Sequence, residues 1–326
     1  QAGYCSGSLI NNTSLNCKRY ILTAFHCGTA ATTANFNQWK FRFDFEATQC
    51  TGQADTYGAN NTFTGCSKRA DSGDNGGTNG SDFLLLEMSS TASPTWWNNV
   101  YWNGWNRQTA APTGGGVGIH HPNGDNKKIS VFTANPISTY WQGGSAPNTH
   151  WSVTWVATTN GHGVTEGGSS GSPLFNTSGQ IFGTLTGGGS FCTSPNSPDA
   201  YGKFSYHWAS DGTTNALQLK PWLDPANTGA TSLNGSYSPC ATTGITRTEA
   251  ATEFTIYPNP STGIFQLQGT DVSNVKVYSV LGEEILAIIP KQNSNVSIDL
   301  SAKANGIYFV VITAKGKSFS KKVLKE

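Results

Sequence analysis

Three short stretches of this sequence carry side chains that together could cleave an acyl bond. Leu22-Thr23-Ala24-Phe25-His26-Cys27 puts an imidazole at the end of an apolar run. Ser81-Asp82-Phe83-Leu84-Leu85-Leu86 opens another apolar run with a carboxylate. Glu166-Gly167-Gly168-Ser169-Ser170-Gly171-Ser172-Pro173 holds a serine in a glycine-rich turn. A serine hydroxyl is a poor nucleophile at neutral pH. An imidazole within hydrogen-bond reach takes its proton, and a buried carboxylate fixes the imidazole tautomer. These roles fall to Ser170, His26 and Asp82. Glycine ahead of the serine lets the amides of Gly168 and Ser170 converge on one oxygen. Donors of this kind are each worth about 3 kcal/mol to the transition state. Taken singly, each stretch is ordinary: Gly-Ser-Ser-Gly is usually a loop, and an aspartate before a strand is usually a turn residue. Their co-occurrence in this order carries the chemistry.

Such side chains need rigid supports. Short apolar runs between Gly/Asn/Ser clusters predict strands at Gly7–Ile10, Tyr20–Ala24, Trp39–Phe45, Phe83–Met88, Val153–Ala157 and Gln180–Leu185. One helix is expected near Ala216–Leu223, stopped by Asp224-Pro225. About 225 residues of this pattern suit a double β-barrel. The style changes in the tail. All ten Trp lie between Trp39 and Trp222, whereas nine of the 20 basic residues lie beyond residue 246. Seven alternating runs there predict strands: Phe254–Tyr257, Ile264–Leu267, Val275–Val280, Ile285–Ile289, Val296–Leu300, Ile307–Thr313 and Phe319–Leu324. Leu281-Gly282 and Asn305-Gly306 are turn signals between them. The expected organisation is therefore all-β: a catalytic-type domain over 1–226, a linker over 227–252 and a small sandwich over 253–326.

Composition excludes several classes. The 326 residues carry a formal net charge of +1, so there is no basic excess for nucleic acid. Aromatic residues make up 11%, too many for a disordered chain. No run of about 18 apolar residues is present to form a spanning helix. A lone Met88 and a start at Gln1 are read as a processed or incomplete chain. The seven cysteines form no paired C-x-x-C knuckles. They read as disulfides of a secreted protein, with free buried thiols as the alternative. His120 and His121 are adjacent on a strand and point to opposite faces, which disfavours a shared metal. Asp71-Ser72-Gly73-Asp74-Asn75-Gly76 fits no EF-hand spacing, leaving a loop as the default and calcium as the alternative. No metal or cofactor is expected.

The His…Asp…Ser order and its local motifs resemble chymotrypsin-fold serine proteases, and within them the bacterial lysyl endopeptidase family. The resemblance rests on Cys5-Ser6-Gly7-Ser8-Leu9-Ile10-Asn11-Asn12-Thr13, Thr23-Ala24-Phe25-His26-Cys27, Ser81-Asp82-Phe83-Leu84-Leu85-Leu86-Glu87, Gly118-Ile119-His120-His121-Pro122, Val164 through Pro173 and Trp222-Leu223-Asp224-Pro225. It covers roughly residues 3–232. It implies a chymotrypsin-like double β-barrel with His26 as base, Asp82 as its orienting partner, Ser170 as nucleophile, and an oxyanion hole from Gly168 and Ser170. It also implies that Asp199, 29 positions after Ser170, floors the primary specificity pocket and meets a lysine ammonium. A turn aspartate after Pro198 is the plainer alternative. Trp141 matches a family tryptophan near the catalytic histidine, where it would wall a subsite; a core tryptophan is the alternative. One departure is Thr186, which stands where the best-known family member has histidine.

The family carries an N-terminal segment with further cysteines that is absent ahead of Cys5. The resemblance keeps Cys5–Cys27 as a disulfide beside His26. Cys50 and Cys192 match positions whose family partners lie in that segment. Cys17, Cys66 and Cys240 have no counterpart, and a Cys50–Cys66 pair is one option. In the tail, Phe254-Thr255-Ile256-Tyr257-Pro258-Asn259-Pro260-Ser261-Thr262-Gly263 and Gly306-Ile307-Tyr308-Phe309-Val310 resemble the C-terminal sorting domain of type IX secretion in Bacteroidetes. A plain adhesive or carbohydrate-binding sandwich is the alternative. The resemblances together imply a secreted or cell-surface protein that cuts protein or peptide substrates after Lys through an acyl-enzyme, and whose tail meets the secretion machinery; a monomer is the default expectation. Arg or mixed Lys/Arg specificity, and a catalytically silent binding protein, are the alternatives.

Overall fold

The apolar runs on either side of the candidate histidine and aspartate are buried along nearly their whole lengths, as continuous hydrophobic strands must be. In the computed structural model they form one antiparallel sheet. Its strands run in the order Ser8–Ile10, Tyr20–Ala24, Phe83–Met88, Cys66–Asp71. The model describes residues 3–47, 61–74, 76–89, 97, 100–237, 239, 254–280, 282–290, 295–314 and 317–326. Register does much of the positioning. Ala24 faces Phe83 across the ladder, so Phe25 and Asp82 meet at its end, where the Phe25 amide donates to the Asp82 carbonyl at 3.0 Å. His26 and Asp82 are therefore brought together by a strand pairing, although they are 56 positions apart.

A second antiparallel sheet has the order Lys128–Phe132, Gly116–His120, Pro173–Asn176, Gln180–Gly188, Asp199–Lys203, His150–Val153, Ile137–Thr139. It carries the serine turn, just ahead of Pro173–Asn176, and Asp199 at the start of its own strand. One hydrophobic core joins the two sheets. Ile10, Tyr20, Leu22, Phe83 and Leu85 of the first pack with Phe175 and Ile181 of the second, with Trp105 of the strand Gly104–Asn106 that pairs with it, and with Phe204 and Trp208 of the helix Phe204–Ala209. Trp105 stacks on Phe204 at 5.7 Å between ring centroids, nearly parallel. A close-packed interior of this kind resists small displacements, so the two sheets are held rigidly against each other.

The chain divides into two compact units, Gln1–Ala241 and Thr242–Glu326. Part of the stretch expected as linker belongs to the first unit. Ser232–Leu233 pairs with Gly104–Asn106, and Ser236–Tyr237 with Tyr101–Trp102. Arg107 fixes the approach by donating to the carbonyls of Ala230 and Gly229. The low apolar content of this stretch concealed strands held by backbone bonds. The helix expected near Ala216–Leu223 is divided into a 3-10 turn, Asn215–Leu217, and a short α-helix, Lys220–Leu223, with Pro221 in its first turn. A helix at Phe204–Ala209 was not expected; it buries Phe204, His207 and Trp208.

In the second unit all seven expected runs are strands. They form a three-stranded sheet (Thr255–Tyr257, Ile264–Gln268, Val296–Asp299) and a four-stranded one (Glu284–Ile288, Val272–Ser279, Gly306–Ala314, Lys317–Lys325). Alternate residues such as Phe265, Leu267, Val275, Val277, Ile298, Val310 and Ile312 fill the core between them.

Candidate active site

Asp82 is fully buried and takes up φ +61°, a left-handed conformation uncommon for a residue with a side chain. The bend lets its carboxylate face back along the chain. Oδ1 accepts from the His26 amide at 2.9 Å, and Oδ2 meets His26 Nδ1 at 2.7 Å. With Nδ1 donating, Nε2 is the basic nitrogen. The His26 side chain remains 33% exposed, so the imidazole can be reached from outside. Burial alone would push the His26 pKa down; the hydrogen bond and charge of Asp82, and then the charge of Asp74, outweigh it and raise the pKa above 6.5.

The serine turn is pinned to the histidine strand from several sides. Ser6 donates its amide to the Ser170 carbonyl at 2.8 Å and its hydroxyl to the Gly168 carbonyl at 2.9 Å. The Cys5–Cys27 disulfide ties Ser6 to the residue after His26, and Cys27 Sγ lies 3.9 Å from the Ser170 carbonyl oxygen. Gly171, at φ +80°, is the tightest contact. A Cβ there would stand 2.1 Å from Thr23 Oγ1 and 2.5 Å from the Ala24 amide nitrogen. Ser170 and His26 thus flank a point where the two sheets touch. Gly168, at φ +93°, turns the chain ahead of Ser170. Neither the Gly168 nor the Ser170 amide has an acceptor among the described residues. Gly171→Ala is therefore expected to lower turnover by about 100-fold, because a shift near 1 Å between reacting groups costs that much. Turnover per correctly folded molecule, with folding checked by circular dichroism, measures it; an unchanged rate would contradict this account of the contact.

Asp199 is buried at the start of its strand. Its Oδ2 accepts three hydrogen bonds: Trp155 Nε1 at 2.6 Å, Thr165 Oγ1 at 2.7 Å and Ser190 Oγ at 2.7 Å. Its Oδ1 accepts one, from the Ser190 amide at 3.1 Å. Thr165 begins the turn that carries Ser170, so Asp199 and the serine share a support. Gly188 faces Asp199 across the ladder, and a Cβ there would lie 2.0 Å from Oδ1. Glycine at 188 thus leaves room for that oxygen, which a side chain there would displace. Trp141 is half-buried, its ring against Gly77 and Gly187 and beside His150 at 6.4 Å between centroids. Thr186 is bonded to His150 Nε2 at 2.9 Å.

Sequence reasoning missed four polar supports. Trp155, Thr165 and Ser190 surround Asp199, but nothing in their types or spacing signals it. His120 enters the sequence reading only through a family motif and as a disfavoured metal ligand. It is buried between Ser169 Oγ at 2.8 Å and Ser130 Oγ at 3.0 Å, so it orients the residue before Ser170. Burial, then the charges of His121 and Lys128, push its pKa down to about 4, which keeps it neutral. His121 points away and stacks on Phe45. Among the cysteines, Cys17 is disulfide-bonded. Cys66 is a free buried thiol, pushed up to about 12 by burial, which removes the Cys50–Cys66 option. Cys50 and Cys240 lie outside the described residues.

Residues 1–202 match the family model of the lysyl endopeptidase C-terminal domain, well over half of the chain. The chain belongs to the lysyl endopeptidase family. A lysyl endopeptidase of Pseudomonas aeruginosa is 32% identical over 214 residues, which are 62% of this chain and 41% of that protein. The chain thus spans about two fifths of the length of this relative. Among solved structures, a thermostable serine protease AL20 from an extremophilic microorganism aligns with TM-score 0.41 and 14% identity, covering 61% of this chain and 83% of that one. A Glu endopeptidase in complex with MPD aligns with TM-score 0.37 and 16% identity, over 62% and 81% of the two chains. Residues 255–326 match the secretion system C-terminal sorting domain, which marks the chain for type IX export to the cell surface or beyond.

Proposed function

We propose that the chain is a secreted serine endopeptidase that cuts peptide bonds after lysine through an acyl-enzyme. The supporting observation is the Asp82–His26 pair beside a serine turn whose Gly168 and Ser170 amides have no other acceptor among the described residues. In this reading Ser170 Oγ adds to the scissile carbonyl carbon while His26 Nε2 takes its proton. The Gly168 and Ser170 amides hold the oxyanion, and Asp82 holds the imidazolium. The C–N bond then breaks, and His26 returns the proton to the leaving amine. Water attacks the acyl-Ser170 ester by the same steps, which frees the acid and restores the hydroxyl. Residues 1–226, extended by the strands up to Tyr237, form the catalytic domain, and 253–326 form the sorting domain that meets the secretion machinery. The chain acts as a monomer.

The finer choice of lysine over arginine is supported by the hydrogen bonds around Asp199. Its Oδ2 already takes three donors and Oδ1 one. An arginine fork needs two free, parallel acceptors, whereas an ammonium is a point charge that needs only one. The hydroxyls of Thr165 and Ser190 give their protons to Asp199 Oδ2, and Ser190 Oγ in turn accepts from the Thr165 amide at 2.9 Å, which leaves Oδ1, with its single donor, as the acceptor for an ammonium. A library with every residue at the cleaved position is expected to be cut at least about tenfold faster after Lys than after Arg. Ser190→Ala, which frees part of Oδ2, is expected to narrow that ratio. Equal Lys and Arg cleavage by the unaltered enzyme would favour the mixed-specificity alternative.

A further inference from the structure

Asp74 precedes the Asp82–His26 pair in a loop that the roles assigned above leave unexplained. It is buried, and its carboxylate is fully engaged. Oδ1 accepts from Ser72 Oγ at 2.7 Å, while Oδ2 accepts from the Gly77 amide at 3.1 Å and the Asp82 amide at 3.2 Å. The last of these bonds grips the backbone of Asp82 where it takes up its left-handed bend. The Gly77 bond fixes the turn that closes over the histidine. A Cβ at Gly76 would be 3.0 Å from His26 Cβ, and one at Gly77 would be 3.3 Å from the Trp141 ring. One carboxylate therefore holds Asp82 from behind and the covering turn from the front. We propose that Asp74 is a positioning residue for the His26–Asp82 pair, acting through the Asp82 amide and the Gly76–Gly77 turn and adding a second negative charge behind the imidazole. The inference rests on the endopeptidase reading for its kinetic consequence only.

The charges around His26 agree with this role. Its own loop presents Asp82 and Asp74. From the strand His150–Val153 comes His150, which burial pushes to about 4 against the pull of Asp82, so it stays neutral at working pH. Beyond helix Phe204–Ala209 lies Asp211, which faces both Asp74 and Asp82 and which burial pushes up to about 8. The serine turn contributes Glu166, whose carboxylate is taken by Asn123 at 2.7 Å. Cys27 is in a disulfide. Asp74 and Asp82 are thus the anions that raise the His26 pKa. Activity requires neutral His26, so kcat/KM rises as pH passes through that pKa. Removing the Asp74 charge lowers the pKa and moves the acid limb to lower pH.

The test compares Asp74→Asn, Asp74→Glu and Ser72→Ala with the unaltered enzyme on a lysine amide, each corrected for active sites by phosphonate titration. Asp74→Asn is expected to lower kcat by about 10- to 100-fold with KM within about twofold, because the pair is displaced while the specificity pocket is untouched. Its acid limb moves to lower pH. Asp74→Glu restores the limb but not kcat, and Ser72→Ala moves both slightly in the direction of Asp74→Asn. A merely structural role would reduce the fraction of titratable sites and leave kcat per site and the acid limb unmoved, and that result overturns the proposal. Failure of all three variants to fold overturns it as well, by assigning Asp74 to folding. The His26 pKa measured by NMR in a Ser170→Ala background separates the two readings, since it needs no turnover. A lowered pKa in Asp74→Asn with an unaltered enzyme that hydrolyses nothing sinks the endopeptidase reading and keeps the inference. Normal hydrolysis with an unmoved pKa sinks the inference alone.

Discussion

Replacing Ser170 with alanine is expected to lower kcat on a lysine amide by on the order of 10⁴- to 10⁶-fold and to abolish labelling by a serine-directed phosphonate. The size follows from what is removed. Without the hydroxyl no acyl-enzyme forms, and His26 has only water to activate. The oxyanion donors survive, because the Ser170 and Gly168 amides belong to the backbone, so a small rate above background remains. The substitution deletes one atom from a half-buried side chain, and the hydrogen bonds that hold the turn, from the Ser6 amide and hydroxyl, go to the carbonyls of Ser170 and Gly168. Folding and affinity for a lysine peptide should therefore be unchanged. His26→Ala is expected to cost nearly as much, and the double variant little more than either, since the two act as one unit. A Ser170→Ala protein that keeps a tenth of its turnover would mean that the nucleophile is another group and that the triad reading is wrong.

The sequence exposed the parts of this architecture whose signal is local. Continuous apolar runs marked the strands Tyr20–Ala24 and Phe83–Met88, because a strand buried on both faces has no polar position to spare. Alternation marked the tail strands for the opposite reason, one face being wet. The histidine, aspartate and serine motifs were legible because each sits at the end of such a strand or in a turn that only glycine permits. What stayed hidden was set by pairings distant along the chain. Ser232–Leu233 and Ser236–Tyr237 are strands through partners more than 100 positions away, not through their own composition. The hydroxyls of Thr165 and Ser190 look like loop residues until Asp199 arrives between them. Asp74 reads in the sequence as part of a plain loop, with calcium as the alternative, since oxygen-rich composition is the same whether the oxygens face solvent, a cation or backbone amides. The resemblance to a family suggests a role for Asp199, but the saturation of its Oδ2 could be seen only in three dimensions.

That saturation leads to the other large expected effect. Asp199→Asn is expected to lower kcat/KM for a lysine substrate by about 10²- to 10⁴-fold, the equivalent of roughly 3–5 kcal/mol for leaving a desolvated cation without its anion. The charge is not the only loss. An asparagine offers one carbonyl oxygen and an NH₂ group. Set where Oδ2 is, the NH₂ would confront the indole of Trp155 and the hydroxyls of Thr165 and Ser190, all of which now donate there. Set where Oδ1 is, it would confront the Ser190 amide and point its hydrogens at the incoming ammonium. Either way a donor meets a donor. Threonine and serine can rotate their hydroxyls and accept instead, whereas the indole and the backbone amide cannot. The amide is therefore expected to settle with its oxygen toward Trp155 and its NH₂ toward the substrate, which repels lysine beyond the simple loss of attraction. A neutral substrate of the same length, with norleucine in place of lysine, feels no such repulsion and escapes the cost of displacing a cation's water. Its kcat/KM should hold or rise, so the preference for lysine over norleucine collapses while kcat on a good acyl ester is retained. Should Asp199→Asn cut after lysine within about threefold of the unaltered enzyme, the ammonium must find its anion elsewhere, with Glu166 at the mouth of the same turn as the next group to replace.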